Sequence, residues 1–433
     1  MVTPRRSTSI KSFSSSTTTR MKRRGLSISS FFQGHLMFQI SLQRDRAHKP
    51  VTRPNLPPCK RRSTKRRKGS ALVFSVFLVA GLLVVSAIAI DFGHINVSRS
   101  EVKRTADAAA LSACWELFDG VVEGKSASTV QCDITDSASS IAAKNAVSSR
   151  APTLNASTDI EIGFYDRNNP GALDTSDPSQ FNAVRVNVRQ TDANQQAIPL
   201  FFGSVTGRAT QSLQGASTAA LFKTISGFHK PKKAGETLDI LPITLDEETW
   251  ALVKAKQTED VISYSNGQIQ SGSDGYYECS LYPTGTGSPG NRGTVDIGGA
   301  NNSTTDIRRQ ILTGISAQDM DDLGRELNFD GNHQIELNGD TGISAGIKAE
   351  LQQIVGQPRI IPIFRQVQGN GNNAMYTIVA WEGIRVLSVK LTGPMNKKHL
   401  TIQPCPMIAK YSIFSDRTVE ESEFLFTPVM LVD

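Results

Sequence analysis

The residues of this 433-residue chain that could do chemistry are six histidines, five cysteines and several Gly- and Asn-rich turns. Asn328-Phe329-Asp330-Gly331-Asn332 has the alternating acid and amide of a calcium loop. Its positions do not follow the twelve-residue pattern that surrounds calcium with oxygens, so it reads as a turn. His333, between Asp330 and Glu336, is the one histidine with acidic neighbours on both sides, and it reads as a solvated loop residue. No G-x-x-x-x-G-K-[ST] occurs, so Gly290 to Gly299 is expected to form turns and not a phosphate cradle. No G-x-S-x-G supplies a serine-hydrolase elbow, and a triad assembled from distant positions leaves no local signature. The expectation is a protein without catalytic residues, cofactor or bound metal.

The elements that would position these residues begin with a stretch of another kind. Ala71 to Ile90 has no charge and contains thirteen Leu, Ile, Val and Phe. A spanning helix needs about 20 predominantly apolar residues. Each of those thirteen favours insertion by roughly 0.3–0.6 kcal/mol, so together they contribute several kcal/mol as an upper figure. Gly81, Ser75 and Ser86 erode the sum without reversing it. A buried core helix is the other reading, but a dense basic cluster from Lys60 to Lys68 stands directly before the run. Ala71, Leu82 and Ile90 mark the start, middle and end of the expected span.

Charge sets the expected orientation. Residues 1–69 carry eighteen Lys and Arg and one acid, Asp45, leaving 29 basic against 39 acidic residues in the rest. The overall +7 therefore hides a basic head and an acidic body. Lysine and arginine beside a span hold their side in the cytoplasm, so the domains after Asp91 should lie beyond the membrane. The head has no aromatic interleaving and no fold around it, which argues against nucleic acid as a partner. Ala87-Ile88-Ala89 would suit a signal-cleavage site, although the run is long for a signal core.

Residues 1–58 are rich in Ser, Thr, Arg and Pro and cannot bury enough apolar surface to order themselves. Met21 and Met37 lie well upstream of the run, and a true start nearer Lys60 is the expectation. After the run, Ile95, Val102, Ala106, Ala109, Ala113 and Leu117 recur at helical spacing, with Asp119-Gly120 as a stop. Asp91 sits at the expected membrane boundary. Asp107 reads either as a solvated polar position or as a contact to a neighbouring helix. Ala138 to Ser148 is a second helical stretch, and Ile160–Tyr165 and Ala183–Val188 alternate as half-buried strands do. Lys230-Pro231-Lys232-Lys233 reads as linker, and further strands are expected at Thr294–Ile297, Arg359–Phe364, Tyr376–Trp381, Ile384–Leu391 and His399–Gln403. Helices are expected at Thr305–Gly314 and Ser344–Gly356.

The combination RRKGSALVF, the apolar run, IDFG and ADAAALSA resembles the N-terminal module of TadG-like tight-adherence (Flp) pilus-assembly proteins. The positions that carry it are Gly69, Asp91, Gly93, Arg99, Ala106, Asp107, Ala108, Ala109, Ala110 and Leu111. TadE-like pseudopilins share the layout but usually keep a glutamate where this chain has Phe74, which puts prepilin-type processing after Gly69 in doubt. AVRVNVRQ, IPLFFGSVTG and ATQSLQGASTAALF extend the resemblance to about Phe222, and the order of motifs from Gly290 to Ile402 is similar to other TadG-like C-terminal regions. No D-x-S-x-S occurs, so the metal-dependent adhesion site of some von Willebrand domains is missing. The resemblance implies a bitopic envelope protein with no catalytic residues and, by analogy, a pilin-like exported region with a long helix on a small sheet.

Export bears on the cysteines. Cys59 lies on the cytoplasmic side, leaving Cys114, Cys132, Cys279 and Cys405 beyond the membrane, with three pairings open to them. Cys114–Cys132 would staple the long helix to the segment after it, and Cys279–Cys405 would close the second domain. Closing a loop of that first length stabilises by roughly 3 kcal/mol in the chain-entropy account. Four buried free thiols are the alternative, and an oxidising periplasm favours disulfides.

The expected fold class is α+β: a single transmembrane helix continuing into an amphipathic one, then a pilin-like α+β region and a second Gly/Asn-rich α+β domain. The expected divisions are a basic head over 1–69, a span over 70–90, an exported domain over 91–225, a linker over 226–236 and a second exported domain over 237–433. The expected function is anchorage of exported domains at the bacterial inner membrane, N-terminus in the cytoplasm, in contact with pilus or secretion-apparatus proteins. No small-molecule substrate is evident. The alternatives are a minor pseudopilin drawn into a fibre through its apolar helix, and a signal-cleaved periplasmic binding or hydrolytic protein.

Overall fold

From Ser70 to Val122 no proline interrupts the chain, and an uncharged run passes directly into an Ala-rich one. The result is one helix, α1 (Ser70–Val122, 53 residues), about 80 Å long at 1.5 Å per residue. The computed structural model describes residues 70–281, 290–299, 303–415 and 421–432. The head 1–69, with Gly69 and Cys59, lies outside the described residues, as do 282–289, 300–302 and 416–420.

The two halves of α1 meet different surroundings. Among Ala71 to Ile90 every side chain except Ala87 is exposed. Beyond Asp91 one stripe is buried, through Ser98, Val102, Ala106, Ala109, Ala113 and Leu117, at the three- and four-residue steps of one helical face. That stripe packs on β2 (Ala183–Gln190) and β3 (Leu213–Ala220), which with β1 (Ile160–Gly163) and the chain's last strand, Met430–Leu431, form an antiparallel sheet in the order β1-β2-β3-Met430–Leu431. Alanine along the stripe lets the helix sit close to the strands. At Gly215 of β3 a Cβ would stand 2.9 Å from the Val102 methyl, so the closest approach needs glycine on the sheet side. α2 (Gln131–Lys144) lies beside α1 and buries Ile134, Ala138 and Ala142. It starts and ends earlier than the Ala138–Ser148 expectation; it cannot run to Ser148, because Ser148 and Ser149 take left-handed backbone (φ 49° and 64°) and the Ser148 N–H donates to Glu101 Oε2 at 2.8 Å.

The later part of the chain is built on a ring of strands. β4 (Ile243–Asp246), β5 (Arg292–Val295), β6 (Ile335–Asp340), β7 (Pro358–Gln368) and β8 (Ala374–Lys390) pair in the order β4-β5-β6-β8-β7. β7 returns to β4 in parallel, Ile363 facing Leu245, so the ring closes and its strands have no free edge there. Side chains alternate between two cores as the period of a strand requires. Ile360 and Phe364 of β7 join Val295, Leu337 and Tyr376 on one side, while Ile361 and Ile363 join Ile243, Leu245 and Ile311 on the other. β8 continues past the ring to pair with β9 (His399–Pro404), which carries Cys279–Ser280 on its outer edge.

Three expectations need correction. The stretches Tyr376–Trp381 and Ile384–Leu391 are one 17-residue strand, β8. Glu382-Gly383 reads as a break because it is charged and flexible, yet Glu382 is buried and accepts the Ser422 hydroxyl at 2.5 Å. The segment 226–236 is not wholly linker: Ile225–Phe228 is a strand paired with Leu327–Asn328 and Ser412–Phe414, and Phe228 packs edge-on to Trp381.

The third concerns the disulfides: Cys114, Cys132, Cys279 and Cys405 are all free thiols. Cys114 is buried on the stripe of α1 that faces the sheet, whereas Cys132 is exposed in the first turn of α2. Cys279 pairs with Ile402, three positions before Cys405. At about 3.3 Å per residue that offset is about 10 Å along the ladder, beyond the Cα separation a disulfide bridges. Burial pushes the thiols of Cys114 and Cys279 up to about 12, which makes both poor nucleophiles.

The two regions share contacts. The last strand completes the first sheet, Phe426 packs edge-on to Phe118 of α1 at 5.4 Å, and the Tyr276 hydroxyl donates to the Val122 carbonyl at 3.2 Å.

Candidate functional site

The residues that stand out for function lie where α1 changes surroundings. Asp91 follows the apolar run directly and is 4% exposed. Its carboxylate accepts the backbone N–H of Phe201 (2.8 Å to Oδ1) and of Phe202 (3.2 Å to Oδ1, 3.1 Å to Oδ2). Those residues sit in a hairpin whose arms, Ile198–Pro199 and Thr210–Gln211, pair antiparallel. At its tip is a single helical turn, α3 (Gly203–Thr206), which packs on α1 and ends at Gly207 in the left-handed conformation.

The local sequence explains this shape. Pro199 cannot extend the ladder as a donor, and Gly207 supplies the positive φ that ends α3. Between them Phe201 and Phe202 have N–H groups with no strand partner, and Asp91 supplies the acceptor. A carboxylate accepting backbone N–H groups makes charge-assisted bonds of about twice the usual strength. The Phe201 ring then lies 4.8 Å from the His94 ring, one turn up the helix.

The expected site residues distribute as follows. Ala71, Leu82 and Ile90 are exposed on the apolar half of α1. Gly93 and Arg99 are exposed. Ala106, Ala109 and Ala110 are buried against the sheet, while Ala108 and Leu111 are half-buried and Leu111 packs on that core. Asp107 is half-buried, and its Oδ1 pairs with Lys103 Nζ one turn earlier at 3.2 Å. Asp330 accepts the N–H of Asn332 at 2.8 Å, closing the turn expected there. Among these described residues only Asp91 hydrogen-bonds a distant segment through its side chain.

Removing the Asp91 carboxylate takes away the acceptor of the Phe201 and Phe202 N–H groups. Asp91→Ala is therefore expected to cost about 2 kcal/mol. Amide exchange of residues 198–211 should rise while that of 215–220 stays slow, and an unchanged hairpin would refute the clamp.

One helix is thus exposed and apolar over its first turns and packed into an α+β body over the rest. α1 is long and apolar enough to cross a membrane. Residues 69–116 match the family model described as putative Flp pilus-assembly TadE/G-like. No curated protein and no solved structure matches the chain.

The hairpin was not singled out in the sequence as a site. Its signal is the pair Phe201-Phe202 between Pro199 and Gly203, two adjacent large apolar residues within the IPLFFGSVTG stretch that the resemblance includes.

Proposed function

We propose that this protein is a non-catalytic, single-pass anchor of a tight-adherence (Flp) pilus or related secretion apparatus in the bacterial inner membrane. The helix over Ala71–Ile90 crosses the bilayer, the basic head stays in the cytoplasm, and the α+β body faces the periplasm and meets other apparatus proteins. One observation carries this reading: α1 is continuous across the change from exposed apolar to buried, within the segment that matches the family model. An unbroken helix transmits the position of the span to the body without a hinge. A minor pseudopilin would use the same helix, and Phe74 in place of the usual glutamate weighs against it.

The test uses the full chain, tagged at its C-terminus, in its bacterial host. The anchor predicts an uncut chain that resists carbonate extraction and whose body is open to protease from outside the cytoplasm. Val79→Arg with Leu82→Arg is expected to move the chain into the soluble fraction, since each mid-span arginine costs about 2.5–3.5 kcal/mol. A new N-terminus at Ser70 would instead point to the pseudopilin. A new N-terminus at Ile90 on soluble protein would overturn both.

A further inference from the structure

We infer that the Phe201–Val205 tip is a second membrane contact, seated in the interfacial layer of the bilayer's outer face and held there by Asp91. This rests on the proposal that α1 spans the membrane. Phe201, Phe202 and Val205 are 69%, 38% and 53% exposed, and Phe92 beside Asp91 is exposed as well. Large apolar groups gathered on one tip mark a surface that another phase or partner covers.

The position of the tip identifies what covers it. Asp91 is the residue after Ile90, so its bonds to Phe201 and Phe202 fix those rings at the level of the span's end. The contact reaches lower still. Ala87 is one turn below Asp91 on the same face and is 5% exposed, whereas Ala80 and Ala89 remain exposed on the same helix. The helix alone does not cover an alanine there, so the packing that covers Ala87 descends into the last turn of the apolar run. A protein body meeting a span at this level meets lipid.

The chemistry suits that layer. Aromatic rings settle at the membrane–water boundary. Irregular backbone at that depth needs its polar groups satisfied within the protein, and Asp91 satisfies the N–H groups of both phenylalanines. Exposed Arg208, just past α3, can reach lipid phosphate with its long stem along apolar surface. The tip and the span together would fix the tilt and rotation of the body, which one helix alone leaves free.

The test places tryptophan at the tip of the full-length protein in phosphatidylcholine–phosphatidylglycerol vesicles. The vesicles carry acyl chains brominated either near the headgroup or near the chain end. Trp250 and Trp381 are buried, and Trp115 lies about 36 Å up the helix from Asp91, so the native background should be little quenched. Phe201→Trp is expected to be quenched about twofold more by the shallow bromines than by the deep ones, as an interfacial ring would be. Leu82→Trp, in mid-span, should show the reverse preference. Adding Asp91→Ala should abolish the tip's quenching and leave that of Leu82→Trp intact. Quenching at Leu82→Trp with none at Phe201→Trp would overturn this inference and leave the anchor standing, as would blue-shifted but unquenched emission, which marks a protein partner. No quenching at either position would overturn both.

Discussion

Gly293→Ala is expected to destabilise the body by about 3 kcal/mol, at the upper end for an overpacked core. The cause lies in the strand ring. Tyr376 of β8 is fully buried, edge-on to Phe364 at 5.0 Å, and its hydroxyl donates to the Asp340 carbonyl at 3.2 Å. Its ring lies over Gly293 of β5 and Gly339 of β6. A Cβ at 293 would fall inside contact distance of the Tyr376 hydroxyl and 2.8 Å from the Asp340 carbonyl oxygen, while one at 339 would come within 2.9 Å of the ring. A buried ring held by its hydroxyl cannot swing aside. Tyr376→Phe removes the atom that collides first, so the double variant should lose less than the sum of the single ones. Thermal unfolding of all three measures this, and strictly additive losses would show that the ring is not the obstacle.

The second large effect depends on pH. Glu382 lies in β8, buried beside Ser422, and burial pushes its carboxyl up from 4.5 to about 7, with the Ser422 hydroxyl and the charge of Lys254 acting in the opposite sense. The folded state therefore holds this proton more tightly than the unfolded chain does. Its contribution is fully present below about pH 4.5 and is lost as pH rises through about 7. A shift of that size corresponds to about 3 kcal/mol. Carboxylates such as Asp319 and Glu247, held down by Arg309 and Arg365, act in the opposite direction in acid, so the wild-type profile mixes both. Glu382→Gln isolates the contribution of this carboxyl. Melting temperatures measured from pH 4.5 to pH 8.5 should diverge, the variant gaining on the wild type as pH rises. Parallel profiles would show that Glu382 ionises without penalty.

Glu382 also shows how sequence and structure divide the information. Beside glycine and between two apolar runs, it has the local character of a turn. What holds it in an unbroken strand is the distant Ser422 and a core closed around it. The same holds for the cysteines. Four cysteines after the apolar run and an expected export favour pairing, but bond formation needs Cα atoms within a few ångströms. Strand register and helix face are decided by the packing of whole elements, and they place these thiols apart.

What the sequence determined by itself is one-dimensional. Charge and hydropathy along Lys60 to Ile90 mark a candidate span, because transfer energies add residue by residue. The spacing of Val102, Ala106, Ala109, Ala113 and Leu117 marks one helical face, because helical geometry is local, and the residues from RRKG to ADAAALSA carry the family resemblance. Tertiary structure alone decided the rest. Asp91 is 110 positions from Phe201, and nothing local in either segment calls for the other. The strand ring closes only when β7 meets β4 more than a hundred residues away, and the last strand returns to the first sheet. Such pairings follow from which apolar faces can be buried together, a property of the whole chain that no window of it contains.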